Sequence, residues 1–469
     1  MDSPRHYFVC GIGGSGMLPL AILLKGLGHR VSGSDRSHDQ GRTPEKFAWI
    51  AAQGIELYPQ DGSGVLGGAG IDAVVISKAV EAAVPDIAAA KAENIPILLR
   101  AEMLIKLFNG ADKRIAIAGT SGKTTTTGMT GFLLKEAGLD PSVMNGGIFR
   151  NYAADNPYST AFVGGGGLFV TEVDESDGAA IVARYAPDIA VLHNISLDHQ
   201  PMEELRSMFA GFLAKAAIAV INADDAGVEE IAGTFQGRII RYSSHGAAGA
   251  DLRAEDYVPE PDGSRCVIVT KDGERLKLSL RLPGRHNISN ALAALAAAVA
   301  AGMELKEAVR ILGRFEGIKR RMEIVGRSAS GIIVMDDFAH NPDKVAATLT
   351  TLREFDGRLL IFFQPHGYGF LKVVGKELAE SFASHLAADD RLYLVEPLYL
   401  GGSADKSIGA AYLAGQITAL GGHAALMPDR EAVLEALCAE AKPGDRIIVM
   451  GARDDSLSAF ARTILGKFS

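Results

Sequence analysis

The sequence predicts an α/β chain of three domains, each wound around a mostly parallel β-sheet. Three observations carry that expectation. At 469 residues, the chain exceeds one ordinary domain of about 100 to 200 residues. Short apolar runs of strand length alternate with helical stretches from end to end, the order that builds parallel sheets with helices on their faces. Twice, after Cys10 and after Ala118, a strand passes through glycines straight into a helix.

Bulk composition narrows the function classes. Hydrophobic residues make up 48% and charged residues 22%, which supports several cores and a wettable surface. A net charge of -9 offers no basic field for a long nucleic acid, so phosphate sites must be local. Cys10, Cys266 and Cys438 are too few and too scattered for a disulfide framework or a zinc site, which fits a reducing cytoplasm. Residues 1–5 lack the pattern of a secretion signal, so export is not expected. The apolar stretch 291–301 is too short to cross a bilayer and reads as a buried helix, leaving no membrane partner. These features specify no oligomeric state.

The first domain is expected over residues 1–109. Its opening strand, 6–10, runs into Gly11-Ile12-Gly13-Gly14-Ser15-Gly16 and then a helix over 17–27. A second strand, 30–34, ends at Asp35, where an acid commonly meets a ribose, and further strands are expected at 73–77 and 97–98. This is a Rossmann-like pattern with Gly-x-Gly-Gly-x-Gly spacing. Because a separate triphosphate loop follows, the turn reads as a seat for the diphosphate of a nucleotide-linked substrate. A tight turn without a ligand is the plainer alternative.

The central domain, 110–318, opens with a strand at 114–118 and the loop Gly119-Thr120-Ser121-Gly122-Lys123-Thr124-Thr125-Thr126-Thr127, with a helix expected over 128–137. A glycine turn feeding a helix N-terminus aims backbone N–H groups at phosphate oxygens; Lys123 would neutralise the outer phosphates and Thr124 or Thr125 would reach magnesium. The loop is a variant, with Ile117 where the usual pattern has glycine. Strands at 168–172, 189–192 and 217–222 complete a P-loop ATPase-type parallel sheet, and 251–282 reads as a hairpin excursion around Lys271-Asp272-Gly273. After the strand 168–172, Glu172, Asp174, Glu175 and Asp177 repel one another unless cations compensate, and magnesium is the economical one. A solvated acidic turn is the alternative. Asp198 and His199 could add a ligand, while Asn287 and Asn290 either meet a base or cap the helix expected over 288–300.

Basic residues at 317–321 mark a linker into the third domain, 319–469, with strands expected at 331–335, 358–364, 391–395 and 446–450 and a helix at 344–352. Asp336 to Pro342 and Gln364-Pro365-His366 fall at strand ends, the ligand edge of such sheets.

Eight segments in order, FVCGIGGSGM (8–17), VSGSD (31–35), GTSGKTTT (119–126), NGG (145–147), EVDESD (172–177), PGRHNISN (283–290), KRRME (319–323) and DDFAHNP (336–342), give the chain its family likeness. Across nearly its whole length it resembles the Mur ligase family, cytoplasmic amino-acid ligases of peptidoglycan precursor synthesis. The resemblance implies a Rossmann-like UDP-sugar domain, a central ATPase domain and a Rossmann-like C-terminal domain that closes over ATP and admits the amino acid. It also implies ADP-forming chemistry through an acyl phosphate, and the motifs follow the branch that adds L-alanine to UDP-N-acetylmuramate. Carried over by position, Lys123 is similar to the lysine on the γ-phosphate, and Thr124, Glu172 and His199 to the magnesium positions. Gly119, Thr120, Ser121, Gly122 and Thr125 complete the phosphate loop, Asn287 and Asn290 resemble the adenine side, and Arg321 a phosphate contact. Asp337, His340 and His366 match the closing face. Gly11, Gly13, Gly14, Ser15, Gly16, Met17, Asp35, Ser77 and Asn145 match the UDP-sugar side. Asn341, Gly367 and Phe370 stand where the family usually has a histidine and two arginines, which leaves open a relative using another amino acid or sugar nucleotide, or a binder without catalysis. Lys215 lies about where other branches carry a carbamylated lysine; an exposed helical lysine is the plainer reading.

Overall fold

The computed structural model describes residues 3–67, 70–78, 80–196, 201–398, 406–451, 454 and 456–468. His199 and Asp198 therefore lie outside the described residues. Three sheets organise the chain. In the first, the strands run Glu56–Tyr58, Arg30–Ser34, His6–Cys10, Ala73–Ile76 and Ile97–Leu99, all parallel. The order reverses at His6–Cys10, so the glycine turn that leaves this strand sits at the switch point, where parallel sheets open a crevice. Glu56–Tyr58 was not expected: it is three residues long, with no buried position to mark it.

The central sheet runs Arg275–Leu280, Gly263–Thr270, Leu252–Glu260, Arg238–Ser243, Ile218–Asn222, Ile189–Leu192, Lys113–Ala118, Leu168–Glu172, Ser142–Met144 and Ala161–Phe162. Its middle is parallel; Ala161–Phe162 is antiparallel to Ser142–Met144. The expected helix start at 128 is corrected to Lys123, since the helix runs Lys123–Glu136. β-Branched threonines disfavour helix weakly, but Thr124 to Thr127 are all buried here, and packing outweighs a propensity of a few tenths of a kcal/mol.

The third sheet runs Glu323–Arg327, Ile333–Asp337, Arg446–Gly451, Leu359–Gln364, Arg391–Leu394 and Ala424–Leu426, with only the first strand antiparallel. The strand expected at 331–335 starts later because Gly331 closes a turn onto Ser328 with φ +86, which carries Asp336 and Asp337 into the strand itself. Asn341 caps the helix Pro342–Leu352 by accepting from the Lys344 N–H at 2.9 Å.

The first sheet and the central sheet from Arg238–Ser243 to Ala161–Phe162 belong to one unit, Met1–Ala254 with Ile268–Leu276 and Ser289–Leu312; the other comprises Glu255–Val267, Lys277–Ile288 and Gly313–Ser469. Inside the first unit a continuous apolar core joins Val9, Leu20 and Phe108 to Phe169, Leu192 and Phe209. Gly26 lies so close to Val163 that a Cβ there would sit 2.7 Å from its methyl carbon, and Trp49 packs on Tyr158 with ring centroids 5.0 Å apart. Among the described residues no helix is long and apolar enough to cross a membrane.

Candidate active site

Two glycine-bearing turns in the first unit collect most of the expected residues. At the first, Gly11 adopts φ +75 and the N–H groups of Gly11 and Ile12 donate to Ser34 O at 2.8 and 3.0 Å, folding the turn back on the neighbouring strand. Asp35 accepts from Gly13 N at 2.9 Å and from Ser37 N at 2.7 Å, so it braces the turn and caps the short helix Arg36–Asp39. A Cβ on Gly13 would lie 2.8 Å from Phe47 Cζ, so a larger residue there would have to displace that ring. Ser15 is exposed and Ser77 half-buried, whereas the Met17 side chain is buried in the core and leaves only its main chain to a ligand.

The second turn follows strand Lys113–Ala118. Gly119 and Gly122 take φ +123 and +89, conformations that favour glycine, and a Cβ on Gly122 would lie 2.4 Å from Asn290 Oδ1. Asn194, which sequence reasoning missed, pins the loop: its Oδ1 accepts from Ser121 N at 2.8 Å and its main-chain oxygen from Thr120 N at 3.1 Å. Lys123 Nζ curls back, donating to Gly119 O at 2.7 Å and to Glu175 Oε2 at 2.7 Å. Burial opposes its charge, but Glu175, Asp174 and Glu172 outweigh burial and raise its pKa. Beside it, Thr124 Oγ1 donates to Glu172 Oε2 at 2.8 Å. Gly146 makes room for that pair, since a Cβ there would sit 2.0 Å from Glu172 Oε1. Asn145 thus stands at the Glu172 end of the central sheet, buried, with Nδ2 on Gly147 O at 3.0 Å and Oδ1 without a partner among the described residues. Asn290 joins the loop from its own helix, accepting from Thr126 Oγ1 at 3.4 Å. Thr125 is buried in the first helical turn.

The expectation that a metal is the compensating cation for the carboxylates of 172–177 is narrowed. Protein cations hold two of them: Lys123 pairs with Glu175, and Arg100 Nη2 donates to Asp177 Oδ2 at 3.0 Å. Burial raises the Asp177 pKa, with Arg100 only partly offsetting it; burial also works against charge on Asp174, yet Lys123 and Ser176 keep its carboxyl below the usual range. What remains is a hard-oxygen pair, Thr124 and Glu172, in a cradle cleared by Gly146. That donor set suits a small divalent ion that takes most of its ligands from phosphate and water. Among the described residues no group of three His, Cys, Asp or Glu side chains could hold a metal alone. Behind the loop, His193 is fully buried against Gly119 and hydrogen-bonded through Nδ1 to the Tyr242 hydroxyl at 2.7 Å; burial and then Lys123 push its pKa down to about 3. Neither His193 nor Tyr242 carried any motif to find it by.

Other expected residues lie in the second unit. Asn287 is buried, its Nδ2 donating to Pro283 O at 2.8 Å. Asp337 accepts from Met322 N at 3.3 Å and from the Thr348 hydroxyl, and burial raises its pKa. Arg321 stacks over Phe338 at 4.6 Å. His340 Nδ1 donates to Phe338 O at 2.9 Å, and its ring stacks on His366 with centroids 5.1 Å apart while Phe370 packs on both. Burial, with Lys344, takes the His340 pKa to about 2, so this imidazole is neutral. Gly367 caps the next helix in an extended conformation, and a Cβ there would meet nothing within 4 Å. Lys215, back in the first unit, is exposed and donates to Ala183 O, but it lies in the turn after the helix Met202–Leu213 and not on a helix as expected.

Comparison with known proteins gives this geometry its context. Family models match in three consecutive stretches: "Mur ligase family, catalytic domain" at residues 6–111, "Mur ligase middle domain" at 117–298 and "Mur ligase, glutamate ligase domain" at 320–453. The UDP-N-acetylmuramate–L-alanine ligase of Mycolicibacterium vanbaalenii is 34% identical over 97% of this chain and 94% of its own length. The enzyme of the same name from Rhizobium etli is 35% identical over 94% and 93%. Among solved structures, UDP-N-acetylmuramate-alanine ligase from Thermotoga maritima superposes with a TM-score of 0.79 at 24% identity, covering 99% of both chains. A murein peptide ligase from Psychrobacter arcticus gives 0.72 at 25%, covering 99% of this chain and 98% of that one. With a lysine-bearing phosphate loop facing a glutamate across a glycine cradle, and relatives alike from end to end, this chain belongs to the Mur ligase family.

Proposed function

We propose that this chain is an ATP-dependent, ADP-forming ligase that joins L-alanine to the carboxylate of UDP-N-acetylmuramate, in the cytoplasm. The observation that carries the reading is Lys123 at the head of a buried helix with Thr124 and Glu172 paired at its side, a set for phosphoryl transfer. Residues 1–109 would hold the UDP-sugar, 110–318 the ATP, and 319–469 the amino acid. The substrate carboxylate attacks the γ-phosphorus of ATP, giving an acyl phosphate and ADP. The amine of the amino acid then adds to the acyl carbon, and the tetrahedral intermediate expels phosphate to leave an amide. Lys123, released from Glu175, places its ammonium on the γ-phosphate, where charge develops. The loop N–H groups position the phosphates, and Asn290 and Asn287 the adenine side. Thr124 and Glu172, with His199, would hold Mg2+, which when bound supplies charge neutralisation between the outer phosphates.

A second reading, a relative acting on another amino acid, is favoured by one specific feature. The His340, His366 and Phe370 cluster is aromatic, with His340 neutral, and Gly367 offers no side chain at all, where a carboxylate would normally call for an arginine fork. A third, non-catalytic binding of a sugar nucleotide, has little use for Lys123 and Glu172. Phosphate release measured with UDP-N-acetylmuramate against a panel of amino acids separates them. Dependence on alanine supports the first, dependence on another amino acid the second, and silence across the panel the third.

A further inference from the structure

The first glycine turn contains no cation, yet it is read here as a seat for a diphosphate. Lys46 reaches in from the helix Pro44–Ala52 to donate to Gly13 O at 3.4 Å, and two further cations arrive from neighbouring strands. Strand Ala73–Ile76 pairs in parallel with Ile97–Leu99, and the chain beyond each strand supplies a basic residue at the same edge: Lys78 beyond the first and Arg100 at the start of the helix Arg100–Asn109. Arg100 lies directly on the turn, since the Cβ that Gly16 lacks would sit 3.1 Å from its Cδ and 3.4 Å from its Nε. Its guanidinium is occupied by Asp177, and both side chains are largely buried, 20% and 17% exposed. Lys78 acts on the same carboxylate. Asp177 ends the 3-10 turn Glu175–Asp177, and two residues earlier Glu175 holds Lys123. Thus a cation at one nucleotide turn and the lysine of the other are tied to a single three-residue segment.

We propose that Arg100 is a positioning residue shared by both nucleotide sites: a diphosphate on the glycine turn competes with Asp177 for its guanidinium, and the exchange loosens Glu175 from Lys123. The inference rests on the reading of the first domain as a sugar-nucleotide site. Its physical basis is the cost of a buried charge. Once Arg100 turns to the diphosphate, Asp177 is left beside Asp174 in a buried setting, and the turn relieves this by moving, taking Glu175 with it. The Lys123 ammonium is then free for the γ-phosphate. Each ligand should therefore tighten the other, by the same factor from either direction.

Titration of the full chain with UDP, alone and with a saturating non-hydrolysable ATP analogue and magnesium, and then in the reverse order, tests this. The wild-type chain is expected to show mutual tightening of about fivefold or more. Arg100→Met should weaken UDP by about tenfold or more, the scale of a lost charged hydrogen bond, and bring the coupling factor to about one. Arg100→Lys should recover part of the UDP affinity. Asp177→Asn, which keeps the side-chain shape should Arg100→Met fail to fold, should leave UDP binding at least as tight as in wild type while abolishing the coupling. A purely structural ion pair predicts the opposite for Asp177→Asn, a loss matching that of Arg100→Met, and that result overturns the proposal. So does a wild-type coupling factor of one. An Arg100→Met deficit seen with UDP-N-acetylmuramate but not with UDP overturns the diphosphate assignment in favour of the substrate carboxylate. A wild-type chain that fails to bind UDP at all overturns the sugar-nucleotide reading together with this inference, whereas lost coupling with intact binding overturns this inference alone.

Discussion

The turn after Cys10 and the loop after Ala118 share a plan, a parallel strand running through glycines into a buried helix, but their charges are arranged in opposite ways. Asp35 braces the first from below by accepting from Gly13 N, and its cations are imported, Lys46 onto Gly13 O and Arg100 beside Gly16. The second carries its own cation, Lys123, and the neighbouring segment supplies the carboxylate that holds it, Glu175. Topology alone therefore does not say what a glycine turn binds. The carboxylate under the first suits a ligand gripped by backbone and a borrowed guanidinium, and the lysine in the second suits one whose charge grows during reaction.

The sharpest way to break this contrast is Lys123→Ala. Turnover, read as phosphate release, should fall by about a thousandfold or more, while UDP affinity is not weakened. Comparable losses in both would dissolve the distinction between the two turns. Glu172→Gln should cost about a hundredfold in kcat/KM and shift the magnesium dependence to higher concentration, visible in a magnesium titration; an unchanged magnesium profile would remove Glu172 from the metal side. Asp35→Asn should weaken UDP by roughly 1 kcal/mol, about fivefold, and leave the ATP analogue unaffected in the same calorimetric titrations.

Acid stability offers a further separation. Folding moves His193 from its ordinary value of 6.5 to about 3, because burial disfavours the imidazolium. Between those values the unfolded chain binds the proton that the folded chain refuses, so this contribution is complete above pH 6.5 and is lost as pH falls toward 3. In His193→Gln the melting temperature should drop less steeply with acid across that window, and an identical slope would deny His193 its buried, neutral state. The smallest effect is expected from Gly367→Arg. Since the backbone there is extended and the space open, the variant should fold, and it should lower the apparent KM for alanine by a few-fold if that helix start faces the amino-acid carboxylate.

Much of this was legible in the sequence. The strands His6–Cys10, Arg30–Ser34, Leu168–Glu172 and Ile189–Leu192 fall residue for residue where expected, because each is a short run of strand formers cut off by turn residues. Edge strands such as Glu56–Tyr58, Ala161–Phe162 and Ala424–Leu426 escaped, since two or three residues carry no period to read. The phosphate loop announced itself locally, but its supports did not. Asn194 lies 73 residues from the backbone it pins, Glu175 lies 52 from Lys123, and Asp177 lies 77 from Arg100, and nothing in a linear pattern pairs them. The acidic run 172–177 is plain in the sequence, but the cations that pair with Glu175 and Asp177, Lys123 and Arg100, are remote and leave no local trace.

The apolar core running from Val9 to Phe209 bears on how such a protein can be rearranged. A recombination breakpoint at residue 110 would divide that core and strand Gly26 against a foreign surface in place of Val163, whose methyl a Cβ would already crowd at 2.7 Å. Chimaeras that exchange the leading sheet alone should come out insoluble, and productive exchange between relatives has to carry the following sheet along as one heritable block.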